Sequence, residues 1–115
     1  FDALRFIAMQ PELVGMRDAL AAAAADDPWF SAPARSLADG SPTAAWVSDA
    51  YLSRSRQLSL AQVLAMDLVL ARQFQRHHDF PEGVRALLID KDRKPKWSCQ
   101  DLTVVPRAEI ESHFC

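Results

Sequence analysis

The sequence predicts an all-α fold of five or six short helices joined by short connections. Apolar residues recur every three or four positions along most of the 115-residue chain, whereas the alternation typical of strands is nearly absent. Half of the residues are hydrophobic and 24% are charged, which is typical of one small globular domain. A chain of this length buries enough surface for one core but too little for two independent ones.

Two helices are predicted in the first forty residues. Pro11 suits a first helical turn, and the apolar residues and alanine run after it predict a helix over residues 11–25. The Asp-Asp-Pro sequence at 26–28 ends that helix. A short helix is expected over 29–38, with Gly40 as its stop signal.

The next two helices carry clear start signals. Ser41 followed by Pro42 combines a capping serine with a proline at the first helical position, and the polar stretch 53–56 closes this helix. Ser59 and Gln62 have the spacing of a capping box. They open the helix with the broadest apolar stripe in the chain.

A turn is expected at residues 77–78, before further helical sequence. Asp79 and Glu82 repeat the capping-box spacing, with Asp79 as the predicted cap. Helices are expected over 84–89 and 106–114, on either side of a charged loop at 90–97.

Composition excludes several classes of partner. The net charge of −2 and the pI of about 5.9 argue against a general nucleic-acid binder. No apolar run approaches the roughly 18–20 residues that cross a bilayer, so no membrane partner is expected. Two cysteines, Cys99 and Cys115, are too few for a disulfide framework and predict free thiols in a reducing cytoplasm. Because the chain begins at Phe1 without a signal pattern, we expect a piece of a longer protein.

Few residues show a catalytic or metal-binding pattern. His77 and His78 are adjacent, so on a helix they point about 100° apart, and His113 is remote in sequence; no metal site is predicted. Asp67 lies at the edge of an apolar stripe, where a partly buried carboxylate would serve as a general acid or base. The interpretation we favour is a structural ion pair between Asp67 and Arg85.

Residues 90–96 contain four cations and two anions. They form either a phosphate-binding cluster or a solvated loop, and spacing alone favours the solvated loop. The serines lack a glycine-flanked nucleophile elbow, and the three glycines form no phosphate-cradling loop. These residues alone therefore describe a helical domain without a visible active site.

Much of the chain from Ser41 onward resembles a known enzyme family. Residues 79–97, DFPEGVRALLIDKDRKPKW, closely resemble the C-terminal segment of the 3-hydroxyisobutyryl-CoA hydrolases, within the enoyl-CoA hydratase/isomerase (crotonase) superfamily. Residues 41–43, 59–67 and 102–114 are similar as well. The resemblance implies the C-terminal helical part of a crotonase-superfamily protein whose ββα spiral core, with its oxyanion hole and catalytic carboxylates, lies upstream.

The resemblance implies a fragment of a CoA-thioester hydrolase that acts on 3-hydroxyisobutyryl-CoA in valine degradation. It implies that residues 1–40 are N-terminal helices linking to the missing core and that 41–115 are a cap and association region. No catalytic residue falls in this chain, so the chain alone is expected to be inactive. Lys91 matches a superfamily lysine near the phosphates of coenzyme A, and Arg93 and Lys94 are further candidates for substrate binding.

The implied partners are an acyl-CoA substrate and the missing core of the same protein, and a homo-oligomer is left open. No metal is expected, and no cofactor beyond the coenzyme A of the substrate. Two alternatives remain: the same region of an enoyl-CoA hydratase/isomerase, or a stand-alone helical interaction module. Nucleic-acid binding through residues 91–96 conflicts with the net charge.

Overall fold

The computed structural model describes residues 2–115 and confirms the all-α prediction. Within that range it contains seven α-helices and no strand, so the expected five or six helices were too few. The additional helix is α1 (Asp2–Ala8), which has Asp2 in its first turn and Arg5 in its last, charges that suit the helix dipole. The chain divides into two compact units, residues 1–40 and 41–115.

The first unit is built around its longest helix. It contains α1, α2 (Leu13–Asp26), a 3₁₀ turn (Pro28–Phe30) and α3 (Ser31–Asp39), so both predicted helices are confirmed. Helix α2 contacts the other three elements. Among the described residues of this unit, 2–40, the buried apolar ones are Leu13 and Phe30.

Gly40 ends α3 through a close backbone approach. Its N–H donates to the Ser36 carbonyl at 3.0 Å, and its φ of −75° is open to any residue. A Cβ atom at position 40 would lie 2.9 Å from that carbonyl oxygen. The predicted stop signal is therefore confirmed, and the reason for glycine is space rather than a left-handed turn.

The second unit begins at Ser41. It contains α4 (Pro42–Ser55), α5 (Leu60–Arg76), α6 (Asp79–Val84), a π-helical turn (Arg85–Ile89), a 3₁₀ turn (Leu102–Val104) and α7 (Arg107–Ser112). Helix α4 contacts α7 and the 3₁₀ turn, and α5 contacts α6. The buried apolar residues are Val47, Leu70, Ala86 and Leu102.

The predicted start signals of α4 and α5 are both confirmed. The Ser41 hydroxyl accepts a hydrogen bond from the Ala44 N–H at 3.1 Å. The Ser59 hydroxyl accepts from the Gln62 N–H at 3.2 Å, while the Gln62 side chain accepts from the Ser59 N–H at 2.8 Å. This reciprocal pair satisfies two donors that a helix start leaves open.

Side chains of α4 fasten the C-terminal segment. The Trp46 indole N–H donates to the Leu102 carbonyl at 2.7 Å. The Arg54 guanidinium lies 2.6 Å from the Glu111 carboxylate and 3.8 Å from the centre of the Phe114 ring. These contacts hold the 3₁₀ turn and α7 against opposite ends of α4.

The helical run from Asp79 widens at Arg85. The Asp90 N–H donates to the Arg85 carbonyl at 2.8 Å, and this five-residue closure defines a π-helical turn. The cysteines Cys99 and Cys115 are free thiols. Among residues 2–115, no helix is both long and apolar enough to span a bilayer.

Candidate functional site

The three predicted substrate-binding residues lie on one loop that follows the π-helical turn. We call residues 90–96 the cationic loop; Lys91, Arg93 and Lys94 are all exposed on it. Lys91 and Arg93 each have a φ of 57°, the left-handed region that few residues other than glycine adopt. Sequence analysis missed these two conformations because neither residue is a type that favours them.

Arg85, in the π-helical turn, binds the acidic residues around this loop. Its Nε and Nη2 atoms donate to the two carboxylate oxygens of Glu82 at 2.7 and 2.9 Å. Its Nη1 atom donates to Asp90 at 2.7 Å and to Asp92 at 3.0 Å. A longer contact of 3.4 Å reaches the Lys94 carbonyl. One guanidinium therefore holds three carboxylates, one of them by a bidentate pair.

Two backbone groups of the cationic loop are also fixed to the preceding helical run. The Arg93 N–H donates to the Ala86 carbonyl at 3.0 Å. The Lys96 N–H donates to the Glu82 carboxylate at 2.6 Å. These bonds restrict the loop near its middle and at its end.

The same contacts keep the carboxylates of Glu82 and Asp92 ionised. The hydrogen bonds from Arg85 and then from the Lys96 N–H lower the pKa of Glu82 to about 2. A backbone N–H of the loop, followed by Arg85, lowers the pKa of Asp92. The carboxylates in turn raise the pKa of Arg85. Glu82, Asp92 and Arg85 are thus charged at neutral pH.

The predicted ion pair between Asp67 and Arg85 is wrong. Asp67 is exposed on α5, and a hydrogen bond to its carboxylate raises the pKa of the Tyr51 phenol. Arg85 is occupied by carboxylates on its own helical run and loop. The prediction failed because the apolar residues of α5 do not all face the interior, so a position at the edge of the stripe is not buried.

The predicted capping role of Asp79 is also wrong. Asp79 is the first residue of α6 and is buried. One of its carboxylate oxygens accepts from the Ser98 N–H at 2.8 Å, and the other accepts from the Ser41 hydroxyl. The spacing was misleading because neither side chain caps the helix start. Asp79 binds Ser41 and Ser98, and Glu82 binds Arg85 and the Lys96 N–H. Asp79 instead joins the start of α4 to the segment after the cationic loop.

Helix packing brings together two histidines that are remote in sequence. The rings of His77 and His113 stack with centroids 3.8 Å apart and planes at 28°. Glu109 adds a carboxylate, so that three potential metal-ligand atoms lie within 4.8 Å of one another. Sequence analysis missed this group; the four-residue spacing of Glu109 and His113 was its one local signal.

Hydrogen bonds determine how this group is arranged. The Nδ1 atoms of His77 and His113 lie 2.6 and 2.8 Å from the carbonyls of Gln73 and Glu109. Because a carbonyl only accepts, both Nδ1 atoms carry protons. The remaining lone pairs lie in the ring planes, and because the two rings are stacked these planes run one above the other rather than meeting at one ion. In this conformation the group fastens α7 to the end of α5 rather than enclosing an ion.

A surface depression lies near the junction of α5 and α6. Its lining consists of Gln75, Arg76, His77, His78, Pro81, Glu82 and Arg85. None of the three predicted substrate-binding residues lines it. Three residues that line this depression also contact the cationic loop: His78, Glu82 and Arg85.

The fold and the loop define an all-α region that carries an ordered cationic loop. A model of the enoyl-CoA hydratase/isomerase family matches residues 4–114, nearly the whole chain, so the chain belongs to this family.

Individual relatives confirm the resemblance to the hydrolases. The chain is 42% identical to the human mitochondrial 3-hydroxyisobutyryl-CoA hydrolase over 74 residues, 64% of this chain and 19% of that protein. It is 40% identical to the Xenopus laevis enzyme over 80 residues, 70% of this chain and 21% of that protein. It is 33% identical to the Dictyostelium discoideum enzyme over 87 residues, 75% of this chain and 23% of that protein. The chain spans about a fifth of the length of these relatives.

The prediction of a cytoplasmic location is wrong. The relatives from human, frog and cattle are named as mitochondrial enzymes. Free thiols indicate a reducing compartment but do not identify which one. A targeting address is carried by a short dedicated segment and is not encoded in the composition of a folded region.

Proposed function

We propose that this chain is the C-terminal helical region of a CoA-thioester hydrolase that acts on 3-hydroxyisobutyryl-CoA. In this proposal the region covers the catalytic core and borders the coenzyme A site. The named hydrolase relatives support the reaction, since they match across most of the chain. They also support the partial nature of the region, because each is about five times longer than the matched stretch.

The outer face of α5 is the observation that carries the covering role. Leu60, Leu64 and Leu68 follow one another at four-residue intervals and are 75%, 58% and 53% exposed. Three exposed alanines accompany them, at positions 61, 65 and 71. We define these six residues as the outer face.

The opposite side of α5 is apolar too. Leu70 is buried there, and Val63, Met66 and Val69 are half-buried. A helix that is apolar on two sides has a second apolar face to bury besides the one that packs against its own unit. We therefore assign the outer face to contact with the catalytic core, the part of the enzyme outside this chain.

The cationic loop supports a role at the coenzyme A site. Lys91, Arg93 and Lys94 present exposed cationic side chains, which is what the phosphates of coenzyme A require. Arg85 engages Asp90 and Asp92, the acids nearest in sequence. Their carboxylates are thus already bound to another cation.

Substrate comparison tests the reaction. The full-length protein that contains this chain is assayed for thiol release from 3-hydroxyisobutyryl-CoA and for hydration of an enoyl-CoA. We expect hydrolysis with the higher kcat/KM, and we expect no turnover by the 115-residue chain alone. Turnover by the isolated chain would contradict the assignment of the catalytic groups to another part of the protein.

A second candidate function is favoured by the family itself. The matching family model is described as enoyl-CoA hydratase/isomerase, a name that gives hydration or isomerisation rather than thioester hydrolysis as the reaction. A kcat/KM for enoyl-CoA hydration above that for hydrolysis would select this candidate. Both candidates give the helical region and the cationic loop the same roles.

A further inference from the structure

The backbone of the cationic loop alternates in a regular way. Lys91 and Arg93, two of the proposed phosphate-binding residues, have left-handed backbones. The residues at positions 90, 92 and 94 each contact the Arg85 guanidinium, through two carboxylates and one carbonyl. Every residue in the left-handed conformation is thus flanked on both sides by a residue that Arg85 holds.

Such conformations persist only where the surroundings impose them. Neither Lys91 nor Arg93 is a glycine, asparagine or aspartate, the types that adopt this region most readily. Arg85 is itself fixed by two parallel bonds to Glu82, and Glu82 also accepts from the Lys96 N–H at the end of the loop. The guanidinium is thus anchored on the helix side and bonded on the loop side.

The bonds that Arg85 forms also keep the carboxylates of the loop from pairing with the cationic side chains of the loop. Asp90 and Asp92 are the acids adjacent to Lys91 and would otherwise compete for its ammonium group. Both are bound to Arg85 at 3.0 Å or less. Within residues 2–115, the ion pairs that form around this loop belong to Arg85.

We propose that Arg85 is a positioning residue for the coenzyme A site. It gathers the carboxylates of Glu82, Asp90 and Asp92, and it thereby fixes the backbone that presents Lys91 and Arg93 to the phosphates of an acyl-CoA. This inference rests on the proposed function of the cationic loop. Arg85 itself makes no contact with the ligand in this proposal.

The experiment measures the Kd of coenzyme A by calorimetry on the full-length protein that contains this chain. It also measures KM and kcat with an acyl-CoA and with the corresponding acyl-pantetheine, which lacks the nucleotide phosphates. Loss of one charge-assisted phosphate contact in Lys91→Ala weakens binding of coenzyme A by about tenfold. Arg85→Gln is expected to weaken it at least as much, with kcat retained and KM for acyl-pantetheine unchanged.

The Asp92→Asn substitution distinguishes a positioning role of Arg85 from a simple effect of net charge on coenzyme A binding. The substitution removes a negative charge beside the cations, so electrostatic attraction alone would tighten binding of coenzyme A. Loss of positioning weakens it instead, and we expect weaker binding by several-fold. Asp92→Asn leaves both bonds between Arg85 and Glu82 in place, and it decides the question even if Arg85→Gln does not fold. Arg72→Gln, which removes an exposed arginine of α5, is the matched control.

Each outcome bears on one claim. If Lys91→Ala weakens binding and the Arg85 and Asp92 variants do not, the positioning role is wrong and the cationic site stands. If none of these variants changes binding, the cationic site is wrong and the positioning role with it. A loss of kcat shared by acyl-CoA and acyl-pantetheine would instead assign Arg85 a general structural role.

Discussion

The three histidines of the chain lie in different surroundings. His113 is 1% exposed, and burial, followed by the facing His77, lowers its pKa, while Glu109 and Asp79 act in the opposite direction. His77 is half-buried, and its Nε2 atom lies 3.0 Å from the Ser112 hydroxyl. His78 is exposed, with its Nε2 atom 2.7 Å from the Lys96 carbonyl. The three rings therefore differ in how far folding removes them from water.

Mild acid is expected to destabilise the fold through His113. The pKa of His113 is below its ordinary value of 6.5 in the folded state, whereas the unfolded chain retains that value. As the pH falls through 6.5 the unfolded state binds more protons, so the free energy of unfolding decreases. Urea denaturation between about pH 7 and pH 5 measures this decrease, and His113→Gln should flatten it.

The acidic cluster does not interfere with this measurement. The pKa of Glu82 changes from 4.5 to about 2 on folding, so its contribution to stability is lost only at lower pH. His78→Gln, at an exposed position, is the control and should retain the full pH dependence. An equal slope in wild type and His113→Gln would contradict the role given to burial.

At the scale of elements, one buried carboxylate connects three segments. Asp79 begins α6, accepts from the Ser41 hydroxyl at the start of α4, and accepts from the Ser98 N–H beyond the cationic loop. Ser41 is at the same time the cap of α4. The starts of two helices and the end of a loop therefore depend on the same side chain.

Replacing Asp79 is expected to loosen this junction. Asp79→Ala leaves the Ser98 N–H and the Ser41 hydroxyl without their acceptor in a partly buried site, which typically costs about 1–3 kcal/mol for each unsatisfied group. The free energy of unfolding from chemical denaturation measures the loss. Asp67→Ala, which removes an exposed carboxylate of α5, should change it far less. Equal effects of the two substitutions would argue against the junction.

Short-range sequence signals predict where a helix begins, but they do not predict which distant residue a side chain will bind. The caps at Ser41 and Ser59 involve residues three positions apart, so the sequence contains both partners. Asp79 binds a residue 38 positions away, and its partner depends on packing. The family resemblance identified Lys91, Arg93 and Lys94 as candidate substrate-binding residues. The left-handed backbones of Lys91 and Arg93 had no local signal, because they depend on Arg85, which is itself held by Glu82.

The periodicity of α5 likewise left its orientation open. Leu60, Val63 and Leu64 belong to one apolar stripe in the sequence, yet Val63 is half-buried and the two leucines are exposed. A helix that is apolar on two sides gives no signal of which side faces its own unit. The covering role proposed for the region accounts for this ambiguity, because it requires α5 to be apolar both toward its own unit and toward the catalytic core.

At the scale of the whole molecule, an apolar outer face without its core should favour self-association. The isolated 115-residue chain is expected to form oligomers in sedimentation velocity experiments. Leu64→Lys places a charge in the middle of the outer face and should weaken self-association at least tenfold, since one buried leucine contributes about 1.5–3 kcal/mol.

Gln75→Lys adds the same charge to the same helix at an exposed polar position and is the matched control. It should weaken self-association far less, because it lies in the last turn of α5, beyond the six residues of the outer face. A wild-type chain that stays monomeric at every concentration would remove the support for a docking face on α5. Equal weakening by both lysines would indicate that net charge, rather than the outer face, governs the association.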